Sequence, residues 1–203
     1  MRRVLVWTLA VTVGCTVALS GCSKEYRRAA DDPEIDYYAM SLRFDRRDIN
    51  KLYEEVRGEL ISSAIVEEWN RGAGEGQKPT VALFPMKNNT SEHIRSQLET
   101  LLSKFETDLV QQTSANVISR ERQKELIAEI KEKQGSGAYD QDRVPDFGRQ
   151  LGADYVLTGK VRDVAERTDG ERRVQYFLFV QVLDVETGTI EFQHEASVTK
   201  ALM

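Results

Sequence analysis

Between Arg173 and Val185 the apolar residues fall on every second position twice over: Val174, Tyr176, Leu178, Val180 and Val182 on one side, Phe177, Phe179 and Leu183 on the other. A period of two is that of a β-strand, and apolar residues on both sides predict a central strand at least partly covered on each face. Thr168-Asp169-Gly170 before it supplies a hairpin turn, and Glu186-Thr187-Gly188 after it turns the chain again. Beyond the second turn Ile190, Phe192, His194, Ala196 and Val198 alternate with polar residues, as a strand with one wet face requires. His194 falls in the inward register, where a satisfied core or edge histidine is expected rather than a metal ligand. Upstream, Tyr155 to Val161 completes an antiparallel three-strand meander.

The residues before the meander alternate between helix and strand. Asp45 and Asp48 offer N-caps to a helix spanning about 48–69, whose apolar residues from Ile49 to Trp69 recur at steps of three and four. The glycines at 72, 74 and 76 lack the Lys-Ser or Lys-Thr pair of a phosphate loop and read as a connector. Thr80 to Pro85 reads as a buried strand, and Met86 to Ser91 as a turn that ends in an N-cap. The next helix carries Ile94, Leu98, Leu101, Leu102, Phe105, Leu109 and Val110 on one face. Asn116 to Ser119 is a second strand, Arg120 to Gln134 a helix, and Val144 to Leu151 a short helix closed by Gly152. This order predicts an α+β domain, 45–203, with helices packed on one face of a mixed, about five-stranded sheet.

The amino terminus is of another kind. Arg2 and Arg3 precede an apolar run from Val4 to Ala18, followed by Leu19-Ser20-Gly21-Cys22. The run is shorter than the roughly 20 residues a bilayer core asks for. The arrangement fits a lipoprotein signal over 1–21, cleaved between Gly21 and Cys22, with Cys22 lipidated. At least two acyl chains make such an anchor stable, at about 0.8 kcal/mol for each buried methylene. Residues 22–44 then read as a tether, which as a flexible coil would average about 25 Å. Its second half, with Ile35, Tyr37, Tyr38, Met40, Leu42 and Phe44, is too apolar for linker alone and reads as an arm covering the core or docking a partner.

Loss of Arg2 and Arg3 with the signal takes the formal charge from -5 to -7, the balance of a soluble acidic domain rather than of a nucleic-acid binder. Cys15 leaves with the signal and Cys22 carries lipid, so the domain holds no thiol for a disulfide, a metal or a nucleophile. Two histidines, His93 and His194, provide thinly for zinc or acid–base chemistry, and no nucleophile–base pair or catalytic motif is present. The residues favour an interaction protein over an enzyme, with no cofactor, no metal site and no small-molecule substrate.

Pro79-Thr80-Val81-Ala82 and Lys87-Asn88-Asn89-Thr90-Ser91-Glu92-His93-Ile94, with Gly152-Ala153-Asp154-Tyr155-Val156-Leu157 and Leu183-Asp184-Val185-Glu186-Thr187-Gly188, form an ordered set. By this set the chain resembles the LpoB family, lipoprotein activators of penicillin-binding proteins, over most of its mature length. The resemblance implies a fold like the TolB N-terminal and CsgG-like α+β domains. It also implies an outer-membrane lipoprotein facing the periplasm, which binds a class A penicillin-binding protein and stimulates peptidoglycan synthesis. Ser23 after the lipidated cysteine, in place of the aspartate that retains lipoproteins in the inner membrane of enteric bacteria, leans toward outer-membrane sorting. The loop Lys87, Asn88, Asn89, Thr90, Ser91 and His93 and the exposed face of the last strand are the candidate docking surfaces. Enteric members have a long proline-rich tether, whereas this one has a single proline, Pro33. The alternative is a structural or assembly lipoprotein of an envelope export or flagellar system.

Overall fold

The computed structural model describes residues 41–121, 123, 125, 144–168 and 171–202. The signal 1–21, Cys22, the tether to residue 40, most of the helix expected over 120–134 and the Asp169-Gly170 turn lie outside the described residues.

Two helices come first, α1 (Arg46–Ile61) and α2 (Ala64–Gly74), where the periodicity predicts one. α1 opens on a complete capping box: Asp45 Oδ1 accepts from the Arg47 and Asp48 backbone N–H groups, and Asp48 Oδ2 accepts from the Asp45 N–H at 2.9 Å. Such a cap contributes about 1 kcal/mol. The helix ends because two serines compete for its backbone. Ser62 Oγ donates to the Gly58 carbonyl at 2.9 Å and Ser63 Oγ to that of Leu60 at 2.6 Å. α2 then carries Ile65, Val66 and Trp69 into the same core and runs through the first two glycines of the expected connector. Gly76, at φ +84°, is where the chain turns away.

The sheet has six described strands: β1 (Thr80–Leu83), β2 (Lys87–Asn89), β3 (Asn116–Val117), β4 (Tyr155–Thr168), β5 (Glu171–Asp184) and β6 (Ile190–Leu202). Their order is β3-β1-β4-β5-β6, with β2 pairing β4 beyond the end of β1. β1 is parallel to both β3 and β4, whereas β4, β5 and β6 form the expected antiparallel meander. The sixth strand is β2, formed where a turn was expected; the parallel register Lys87↔Lys160 to Asn89↔Arg162 uses the edge of β4 that β1 leaves open.

Two cores flank the sheet, so the helices do not keep to one face as the sequence suggests. The larger core joins α1, α2 and α3 (Arg95–Gln112) to Val81, Leu83, Leu157, Val161 and the Val174-to-Val182 row of β5. The smaller joins α4 (Val144–Leu151) to Ala82, Phe84, Val156, Leu183 and Val185 on the opposite side. β1 is apolar at consecutive positions because it feeds both. α4 lies so close that a Cβ on Gly148 would sit 2.6 Å from Val156 Cγ2 and 2.8 Å from Val185 Cγ2.

Two apolar residues assigned to the core are exposed. Val110 follows Leu109 by one position, about 100° around α3 and off its buried stripe. Ile190 faces out because the β5–β6 register slips between Val182 and Leu183, which sets it opposite Leu183 instead of on the inner row. The cap of α3 also differs: its N-cap is Ile94, with no side-chain bond, since the polar residues before it are engaged elsewhere.

Candidate functional site

Those polar residues build a small fixed loop. Asn88 Oδ1 accepts from the Thr90 N–H at 3.0 Å and from its hydroxyl at 2.7 Å, while Asn88 Nδ2 donates to the Glu92 carbonyl at 2.7 Å. Thr90 Oγ1 accepts from the Glu92 N–H at 3.1 Å, so Asn88 and Thr90 together clasp the backbone of Glu92. Ser91 Oγ donates to Asp163 Oδ2 at 2.9 Å and ties the loop to β4. Lys87, Asn88, Asn89, Ser91 and His93 are exposed, and Thr90 and Glu92 half-buried.

Glu92 connects this loop to the arm. Its Oε1 accepts from the Tyr176 hydroxyl at 2.5 Å and its Oε2 from the Phe44 N–H at 3.2 Å. Tyr176 also donates toward the Leu42 carbonyl at 2.9 Å, and its ring meets that of Phe44 at 5.0 Å. Burial, then the Glu92 carboxylate, pushes the Tyr176 hydroxyl well above the usual phenol range. The described end of the arm, Leu42 and Phe44, thus packs on the core.

Beside it lies a buried ionic cluster that the sequence did not disclose. Lys200 points inward from β6 and donates to the Arg43 carbonyl, Asp45 Oδ2 and Asp48 Oδ2 at 2.7, 2.5 and 2.7 Å. Burial works against the ammonium, but the two carboxylates outweigh it and hold Lys200 above its ordinary range. For Asp48 burial wins and the pKa rises. Asp45 is also opposed by burial, yet the Lys200 and backbone hydrogen bonds win and lower it. Signal for this cluster was limited to one lysine in an inward register of the last strand.

On the opposite face the register sets Lys87, Lys160, Phe179 and Glu195 in one row and Asn89, Arg162, Phe177 and Ser197 in the next. Lys160 Nζ stands 4.9 Å from the Phe179 centroid and the Arg162 guanidinium 4.8 Å from that of Phe177. The rings are half-buried, in keeping with a strand expected to be partly covered on both faces, and among the described residues those two cations lie over them. Arg162 also reaches Glu195 at 3.3 Å. The structure therefore brings Lys87 and Asn89 together with four residues not selected from sequence, Lys160, Arg162, Phe177 and Phe179. Asn88 and Thr90 spend their side-chain polar atoms on the loop's own backbone.

His194 lies half-buried in the inward register, with Nε2 3.7 Å from Glu55 Oε1. That Nε2 is buried and has no hydrogen-bond partner among the described residues, contrary to the satisfied histidine expected.

A cleft of about 790 Å³ lies between the end of α2 and the starts of β1 and β4. Three of its polar side chains hold backbone groups. Asp154 Oδ2 accepts from the Thr80 N–H, Asp184 Oδ1 from Thr187, and Arg149 donates to the Val185 carbonyl. Side chains committed in this way hold the turns around the cleft together.

Several known proteins are similar to the chain. The LpoB C-terminal domain from Salmonella enterica is 17% identical, over 74% of this chain and 98% of that one, with a TM-score of 0.47. The corresponding domain from Escherichia coli is 13% identical, over 74% and 96%, with a TM-score of 0.46. Lipoprotein GNA1162 from Neisseria meningitidis is 14% identical, over 61% and 83%, with a TM-score of 0.45. No curated protein matches the sequence. The family described as peptidoglycan-synthase activator LpoB matches residues 48–198, a span that runs from the first turn of α1 through most of β6, and the chain belongs to that family.

Proposed function

We propose that this protein is an outer-membrane lipoprotein, lipidated at Cys22 after removal of residues 1–21, that binds a class A penicillin-binding protein from the periplasmic side and raises its rate of peptidoglycan synthesis. The observation that carries the reading is the family match over residues 48–198. Docking uses the loop Lys87, Asn88, Asn89, Thr90, Ser91 and His93. Its shape supports this role: Asn88 and Thr90 spend their polar groups on the Glu92 backbone, so the loop is ordered before a partner arrives and loses little freedom on binding. The protein performs no chemistry of its own. It acts by population shift, binding the active conformation of the synthase more tightly than the resting one.

The test is glycan-strand synthesis by purified class A synthases, with and without the full-length chain in detergent. A saturable rise in rate with matching binding is expected; no binding to any synthase would overturn the reading. Labelling with a radioactive fatty acid checks the anchor, and Cys22→Ser should abolish incorporation.

A further inference from the structure

We infer that the open face of the β4–β5–β6 meander, centred on Arg162, Lys160, Phe177 and Phe179 and continuous with β2, is a docking surface for an acidic polypeptide segment of the synthase. The inference rests on the activator reading above and names the surface and the chemistry of its partner.

Four observations carry it. The face is regular sheet, with the strand register running unbroken from Lys160↔Phe179 to Arg162↔Phe177. Its centre combines half-buried aromatic rings with an arginine, residue types enriched at protein interfaces, and a lysine beside them. Its charge is opposite to that of the chain as a whole: Lys87, Lys160 and Arg162 stand against one carboxylate, Glu195, in a protein of formal charge -5. Finally, Lys87 and Asn89 are at once members of this face and of the loop proposed to dock, so one partner covers both without a gap.

The geometry selects among anionic partners. An anionic lipid surface would call for rings free to enter the headgroup layer and for cations without acids among them. Here each phenylalanine is capped by a cation, and Glu195 is within 3.3 Å of Arg162. An incoming carboxylate fits better. It can take the Arg162 fork from Glu195, while an apolar neighbour in the same segment reaches a ring that the moved cation uncovers.

The test is biolayer interferometry of the full-length protein in detergent against the synthase it activates. The variants are Lys160→Glu/Arg162→Glu, with thermal melting as the folding control, and separately Lys87→Glu, whose exposed three-residue strand carries no core residue. We expect the double variant to weaken binding about thirtyfold or more, Lys87→Glu to weaken it less, and wild-type affinity to fall with added salt. If wild type binds and stimulates while all variants bind equally well, the surface is refuted and the activator reading stands. If wild type binds no synthase, the activator reading falls and this inference falls with it. Loss in the variants of vesicle binding or of self-association, with synthase binding intact, would assign the face to lipid or to a second copy and overturn the proposal.

Discussion

Replacing Lys200 by methionine keeps the length of the side chain and removes its charge, and the consequence can be followed group by group. Asp45 has a side chain 39% exposed and rehydrates at little cost, whereas that of Asp48 is 5% exposed and cannot. One buried carboxylate is therefore stranded, keeping only its bond from the Asp45 N–H. Breaking a buried pair from one side costs about 3–5 kcal/mol. With a single stranded acid the low end applies, about 3 kcal/mol, which at a urea slope near 2 kcal/mol/M lowers the midpoint by about 1.5 M.

The pH dependence follows from the direction of each shift. Lys200 is raised in the folded state, so its stabilisation is complete below the unfolded value of 10.5 and is lost only as pH climbs through the folded one. Between pH 7 and pH 5 it is constant in the wild type. In the variant, burial already holds Asp48 above the usual carboxylate range, and loss of the ammonium raises it further. The folded variant takes up a proton there as pH falls, and its deficit shrinks. Urea melts at pH 7 and pH 5 read this directly, and Lys200→Met/Asp48→Asn should recover most of the loss at pH 7. A deficit below about 1 kcal/mol, or one unchanged between the two pH values, would refute the assignment of Lys200 as the counter-ion of Asp48.

Four further outcomes are expected. Gly148→Ala sets a methyl group against Val156 and Val185 and should cost about 1–3 kcal/mol in chemical denaturation, by forcing α4 off the sheet. Phe105→Ala, which empties a position 1% exposed, should cost about 3–5 kcal/mol by the same measurement. Tyr176→Phe leaves the Glu92 carboxylate and the Leu42 carbonyl short of a donor and should cost about 1–2 kcal/mol, read as a lower thermal midpoint. In ultraviolet titration Tyr53, raised by burial and then by Asp108, and Tyr176 should ionise above the usual phenol range; their contribution, complete below pH 10, is lost as pH rises through their folded values.

The meander was legible because period two survives in sequence wherever a strand has a dry side. Val174, Tyr176, Leu178, Val180 and Val182 are all buried, as their alternation requires. The capping role of Asp45 and Asp48 was legible too, because a cap is set by neighbours along the chain. Features that depend on distant partners were not. β2 exists only because β4 outruns β1 and leaves an edge to pair with, and nothing in Lys87-Asn88-Asn89 favours a strand. Phe177 and Phe179 were correctly placed on the second face, but their cover could not be read: two cations from the adjacent strand lie over them, a pairing set by register rather than by spacing. The break at Ser62-Ser63 was obscured because α2 resumes with its apolar residues aimed at the same core.

The Lys200 cluster has a consequence for the order in which the molecule can be completed. The lysine that fastens the start of α1 is 155 residues away from Asp45, and β1 waits for β4, with Val81 opposite Tyr155. Closing contacts at such separations is slow, and the loop entropy must be met before the contact gives anything back. A polypeptide appearing amino-terminus first therefore cannot complete the core around the start of α1 until the last strand arrives. The last strand to be made is the one that fastens the first helix.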